Sequence, residues 1–352
     1  MTLLEQTLAA IPEPDLAAAA EAQRRLDAKT KPRGSLGRLE ELACVLAAVQ
    51  RTPSPRAASK AVVVMAADHG VADEGVSAYP QEVTAQMVAN FARGGAAINV
   101  LARQAGARVV VVDMGMKAPV AGLPGVLDRR VGPGTRNLAR GPAMARDEAV
   151  RAMEAGIAVA ADLAADGVDV VAIGEMGIAN STAASALTAA LTGAPPADVT
   201  GRGTGIDEAA HRRKIDVVRR ALAANRVDPA DPLGTLAALG GFEIAGLAGV
   251  VLGAAARRVP IVVDGFIASA GALAAARLAP RAAGALVAAH RSVEAGHAAV
   301  LRALDLRPLL ELDLRLGEGT GAALALHLVD AAARVVAEMA TFDAAGVTDA
   351  GR

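Results

Sequence analysis

The run Ala61-Val62-Val63-Val64-Met65, continuing into Ala66-Ala67-Asp68-His69-Gly70, decides how this chain folds. It is short, β-rich and apolar without alternation, the pattern of a parallel strand buried on both faces. Similar runs recur at 108–112, 168–173, 259–263 and 284–288, and helical stretches separate them at 81–104, 146–166, 181–191, 207–223, 242–256 and 268–278. Strands alternating with helices predict an open, mostly parallel α/β sheet with right-handed crossovers. Each strand also ends in polar residues: Asp68-His69-Gly70, Asp113-Met114-Gly115, Gly174-Glu175-Met176-Gly177, Asp264-Gly265-Phe266 and His290-Arg291-Ser292. Ligands bind outside the carboxyl ends of such strands, so five polar tips predict a ligand cleft there.

Outside the alternation lie helical patterns at 3–26, interrupted by Pro12 and Pro14, at 39–50 and at 322–339. The expected division is a large α/β domain, 57–317, and a small helical domain from 1–56 and 318–352. The chain has 352 residues, a formal net charge of −1, 53% hydrophobic residues and only 1% aromatics, which predicts a tight core of small side chains. With no long Lys/Arg run, nucleic acid is not an expected partner. Cys44 is the only cysteine, so an intramolecular disulfide is impossible. The uncharged run 176–197 is long enough to span a membrane. Its Asn180, Ser181, Thr182, Gly193 and two prolines argue against that. No basic signal segment precedes it, and a cytoplasmic protein without a membrane partner is expected.

Several glycine-rich turns open helices, and such turns leave backbone N–H groups free for an anion. The most unusual is Leu314-Arg315-Leu316-Gly317-Glu318-Gly319-Thr320-Gly321, because a carboxylate between the glycines repels a phosphate and suits a proton acceptor instead. Gly174-Glu175-Met176-Gly177-Ile178-Ala179-Asn180-Ser181-Thr182 follows a buried strand but has neither a Walker lysine nor the dinucleotide glycine spacing. Gly201-Arg202-Gly203-Thr204-Gly205-Ile206-Asp207 has capping-box-like spacing at Thr204 and Asp207, with Lys214 two turns on. Gly240-Gly241-Phe242-Glu243 is a further helix start. The five histidines form no two-His helix motif with a nearby Glu, and His290 with His297, sharing a helical face, would not suffice for zinc. No metal is expected, and no nucleophile elbow points to acyl transfer.

Taken in order, Lys31-Pro32-Arg33-Gly34-Ser35-Leu36-Gly37, Ala67-Asp68-His69-Gly70-Val71, Tyr79-Pro80-Gln81-Glu82-Val83-Thr84 and the glycine motifs at 174–178, 201–205, 240–243 and 316–321 resemble the nicotinate-nucleotide–dimethylbenzimidazole phosphoribosyltransferase family. The resemblance covers nearly the whole chain. It implies a Rossmann-like sheet with a small helical domain, a homodimer, and transfer of phosphoribose from nicotinate mononucleotide to 5,6-dimethylbenzimidazole. The products would be α-ribazole 5′-phosphate and nicotinate, and no cofactor is implied. It makes Glu318 the catalytic base and puts Glu175 in the same site. Two positions depart from the pattern: Tyr79 and Met87 stand where members of that family can carry Ser and Gln, near the base pocket.

That chemistry suits the residues. Nicotinate leaves with its ring nitrogen neutral, so no general acid is needed. The attacking benzimidazole must lose one proton, which one carboxylate can take. Glu175 would stabilise positive charge on the ribose. Lys214, Ser292 and the glycine-rich helix starts would hold the 5′-phosphate, with Gly174, Gly177, Gly203, Asp264, Gly319 and Thr320 completing the expected substrate contacts. Tyr79 and Met87 would wall the base. Rival readings are a phosphoribosyltransferase with another acceptor base, a nicotinamide-cofactor oxidoreductase and a non-catalytic nucleotide-binding protein, since fold alone does not fix function.

Overall fold

The computed structural model describes residues 1–118 and 122–349. Six strands form one sheet: β1 (Lys60–Ala67), β2 (Ala107–Gly115), β3 (Val126–Asp128), β4 (Val170–Met176), β5 (Ile261–Val263) and β6 (Leu286–Ala288). Every pairing is parallel and the order is β3-β2-β1-β4-β5-β6. The order reverses between β1 and β4, which makes their carboxyl ends the switch point, the place where open parallel sheets bind ligands.

All eight residues of β1 are buried. Val63 and Met65 face a layer built from helices Arg146–Ala165, Asn180–Thr192, Phe242–Ala256 and Phe266–Leu278. Val62, Val64 and Ala66 face the other layer, from helices Arg38–Gln50, Val83–Ala92, Ala97–Gln104 and Thr320–Glu338. The terminal helices therefore share cores with the sheet: Leu4 joins the first layer, and Leu26, Leu42 and Leu46 join the second. Thr320–Glu338 is long and apolar enough to cross a membrane. Here its Ala322, Ala325, Leu326 and Val329 are fully buried in the second layer.

Small residues set the helix spacing. A Cβ on Gly156 would collide with the carbonyl of Gly246, and one on Gly249 with the carbonyl of Met153. Helices Arg146–Ala165 and Phe242–Ala256 thus meet backbone to backbone, which an interior of alanine and glycine permits.

The expected helix 81–104 is two, Val83–Ala92 and Ala97–Gln104. Gly94, at φ +77°, ends the first, and Asn99 ties the break by accepting from Ala96 N and donating to the Phe91 carbonyl. Strand β3 was not expected: three residues, mostly exposed, carry too little pattern. Helix Pro232–Leu239 was also missed; proline starts it and Asp231 caps it at Gly234 N. The motif at 31–37 is a loop with exposed Pro32–Ser35, anchored by a buried Lys31–Glu40 ion pair of 2.7 Å.

The close helix contact makes one outcome specific. Gly249→Leu should lower unfolding stability by about 3 kcal/mol, the upper range for overpacking, because backbone rather than a mobile side chain occupies the space. Urea denaturation against the parent chain measures it.

Candidate active site

The turn Gly317-Glu318-Gly319 lies against the end of β4. Its three residues have φ of +85°, +64° and +86°. Glycine adopts this region freely, but Glu318 does not, and such strain in a non-glycine residue marks functional positions. The turn is clamped from several sides. Glu318 N donates to the Glu175 carbonyl at 3.2 Å. A Cβ on Gly174 would overlap the Gly319 backbone, and one on Gly317 would overlap the Glu175 carboxylate. The Asp264 carboxylate, from the end of β5, accepts from Gly319 N at 3.1 Å and Ala322 N at 2.9 Å, capping helix Thr320–Glu338. Thr320 Oγ1 closes the turn by donating to the Gly317 carbonyl.

These contacts gather acidic side chains at one edge. Glu175 is buried and takes a short hydrogen bond from Asn180 Nδ2. Burial first, then the charges of Glu243, Asp264 and Glu318, push its carboxyl up to about 8 despite that hydrogen bond. Glu318 is raised too, chiefly by burial and further by Asp264, against the N–H of Ile98. Its Oε2 is buried without a hydrogen-bond partner. Glu243 Oε1 lies 2.6 Å from His69 Nε2, and neither side chain is exposed. At the ends of β1 and β2, Asp68 and Asp113 are also raised by burial, but they accept from the backbone N–H groups of Lys117, Gly115 and Met116.

The opposite character appears around Lys214. Its side chain is almost fully buried and Nζ donates to Ser181 Oγ at 2.8 Å. A Cβ on Gly203 would stand 3.0 Å from that Nζ, so the glycine keeps the ammonium approachable. Burial lowers Lys214 to about 8, with Glu294 opposing the shift. Ser292 N donates to His297 Nδ1 at 2.9 Å, which leaves the His297 proton on Nε2 beside Ser269 Oγ. Burial, with the charges of His290 and Arg291, depresses His297 to about 3, so it is a neutral support. Helix Phe266–Leu278 starts at Gly265, whose Cβ position lies 3.8 Å from Ser292.

Several expected roles change. Asp264 and Thr320 both have a bracing role in the turn, Asp264 accepting from two of its amides and Thr320 Oγ1 donating to the Gly317 carbonyl. Thr204 caps no helix: Asp207 does, through Ala210 N, while Thr204 Oγ1 accepts from Ala78 N. His290 follows β6 and lies outside the helix that His297 begins, with the rings 6.1 Å apart. Tyr79 is 55% exposed. Met87 is half-buried and, like Met176, packs on the second layer. Among the described residues no group of three His, Cys, Asp or Glu could hold a metal ion. A surface cavity of about 650 Å³, lined by Arg136, Met144 and Ala237 among others, contains none of the carboxylates.

A family model described as a phosphoribosyltransferase matches residues 11–347. The chain belongs to this phosphoribosyltransferase family. Its curated relatives include the nicotinate-nucleotide–dimethylbenzimidazole phosphoribosyltransferases of Chloroflexus aggregans, 58% identical over 99% of both chains, and of Geobacter metallireducens, 56% identical over 99% of this chain and 98% of that one. The crystal structure of CobT from Thermus thermophilus matches with a TM-score of 0.91 at 53% identity, covering 94% of this chain and 99% of that chain. Family membership agrees with the parallel sheet and with the motifs that carried the resemblance. The motifs alone did not single out Asn180, Ser181 or His290 as site residues, and left His69 and Glu243 as parts of longer motifs. His69 and Glu243 meet across 174 residues and Ser181 meets Lys214 across 33, whereas Asn180 bonds Glu175 within the same motif.

The raised Glu175 carboxyl has a stability consequence. Folded protein holds this proton up to about pH 8 and unfolded chain releases it near its usual 4.5. The contribution is therefore fully present below the unfolded value and is lost as pH rises through the folded one. Glu175→Gln should gain thermal stability over the parent chain between about pH 5 and about pH 7.5. Melting curves at both pH values test this, and parallel curves would contradict it.

Proposed function

We propose that this enzyme transfers the phosphoribosyl group of nicotinate mononucleotide to 5,6-dimethylbenzimidazole, releasing nicotinate and forming α-ribazole 5′-phosphate for cobalamin nucleotide-loop assembly. The observation that carries the reading is the strained turn that presents Glu318 beside Glu175, with one Glu318 oxygen buried and unpartnered. A base in such a place is desolvated and fixed, which raises its affinity for the acceptor's proton. The relatives' names, which specify this donor and acceptor, support the same reading.

In this mechanism the donor lies along the carboxyl edge, its phosphate at Lys214, Ser292 and the helix starts and its anomeric carbon near Glu175. A positively charged pyridinium entering beside Glu175 favours its carboxylate form. That charge then stabilises the ribose as the bond to nicotinate breaks. The benzimidazole nitrogen attacks from the opposite face, inverting β to α, and Glu318 takes the other ring proton. Gly174, Gly177, Gly203 and Gly319 let backbone approach the substrates closely. Tyr79 and Met87 border the acceptor. The same reading expects a cytoplasmic homodimer.

Mass spectrometry of the purified protein with nicotinate mononucleotide and a panel of bases tests the assignment. α-Ribazole 5′-phosphate should dominate with 5,6-dimethylbenzimidazole. Binding without turnover on any base would leave a nucleotide-binding protein instead. Glu318→Gln should cut turnover by roughly a hundredfold or more, as loss of a general base does, with no loss of thermal stability.

The phosphate end makes a separate demand. Lys214→Ala should raise KM for nicotinate mononucleotide by about tenfold or more, as removal of a buried charge partner does. KM for nicotinate riboside should stay nearly constant. In the parent enzyme, KM for the mononucleotide should climb as pH rises past the Lys214 value of about 8. Initial-rate kinetics with both donors across pH decide it; equal use of the two donors would remove the phosphate site.

A further inference from the structure

Asp264 and His290 lie at the tips of neighbouring strands, β5 and β6, and both side chains are almost wholly buried. His290 Nε2 stands 3.5 Å from Asp264 Oδ1, the oxygen that also accepts from Ala322 N. Asp264 Oδ2 accepts from Gly319 N, the residue after Glu318. A side chain at Gly321 would overlap the His290 ring, so the first turn of helix Thr320–Glu338 rests on that ring. A chain of contacts thus runs from β6 through β5 to the left-handed turn. We infer that His290 is a positioning residue for Glu318, acting through Asp264 and the backbone amides of Gly319 and Ala322. This rests on Glu318 being the base.

The physical need is clear. Asp264 is an acid buried within the influence of Glu318 and Glu175, and Glu243 adds a further acid beyond Glu175. Two backbone N–H groups stabilise its charge, and His290 adds a third polar contact without introducing another acid. Without that contact Asp264 turns toward other donors, and the turn that depends on it loosens. A loss of about 1 Å in base placement costs up to about a hundredfold in rate. Glu318 faces Glu175 from β4, Asp264 from β5 and the N–H of Ile98 from helix Ala97–Gln104, so a change at Asp264 also reaches its titration.

The test is kinetic, on the full-length enzyme with nicotinate mononucleotide and 5,6-dimethylbenzimidazole. His290→Ala should lower kcat roughly tenfold to a hundredfold, with KM for the donor within about twofold. His290→Gln, whose amide can reach the place of Nε2, should recover most of that loss. Asp264→Asn removes a charge that raises Glu318, so the acid limb of the kcat profile should move to lower pH. Adding His290→Ala to Asp264→Asn should cost little more, because the two act in series. Normal kcat in His290→Ala, or fully multiplicative losses in the double variant, overturns the inference. If melting curves show that His290→Ala unfolds the chain, Gln against the shorter Asn makes the same comparison: equal kcat in those two would overturn it. A Glu318→Gln enzyme with full turnover breaks the base assignment itself. An inactive Glu318→Gln beside an unaffected His290→Ala removes only the positioning role.

Discussion

The contact on which the site depends is backbone against backbone, Gly174 at the end of β4 against Gly319 in the turn that carries Glu318. No side chain fits between them. The turn therefore sits directly on the strand, and the Glu318 N–H finds the Glu175 carbonyl. The left-handed conformation at Glu318 is unfavourable on its own and persists only because neighbouring contacts over-determine it. Asp264, Thr320 and the missing side chains at Gly317 and Gly319 are those contacts. Glu175 and Glu318 consequently keep a fixed relation, which their proposed roles on opposite sides of one sugar require.

Burying several acids at one edge is unfavourable unless each is compensated. The compensation here is graded. Glu243 has His69, Glu175 has Asn180, and Asp264 has two amides and His290. Glu318 and Glu243 each retain one unpartnered buried oxygen, and of these two only Glu243 has a histidine at its other oxygen. At the other end Lys214 is buried beside Ser181, a cation kept approachable by Gly203. The buried groups thus include a cluster of acids and a separate buried cation. A molecule with a cationic ring and an anionic phosphate carries charges of both signs to match, which suits the proposed donor.

The strands that carry the site were legible because burial on both faces leaves unbroken apolar runs, as in β1 with all eight residues buried. The polar tips were legible because each run stops abruptly at a charged or glycine residue. Glu318 stood out because a carboxylate between glycines contradicts the phosphate-loop pattern around it. What escaped had no local signal. Nothing near Asp264 in sequence shows that its carboxylate accepts from the Gly319 and Ala322 amides, more than fifty residues away. Thr204 has the spacing of a cap and instead meets Ala78, 126 residues earlier. Strand β3 exists through pairing with β2 rather than through its own three residues.

The Thr204 contact links two parts of the crevice that sequence motifs keep separate. Ala78 N donates to Thr204 Oγ1, and Arg213 Nη1 donates to the Gly75 carbonyl. The loop bearing Tyr79 is thereby fastened at two points to the segment bearing Gly203 and to the helix bearing Lys214. Tyr79 itself is half-exposed and makes no ring contact among the described residues, so its position derives from these backbone tethers rather than from a packed pocket. In a chain with a single tyrosine, these contacts fasten its loop to the segment and helix that the proposed phosphate site uses.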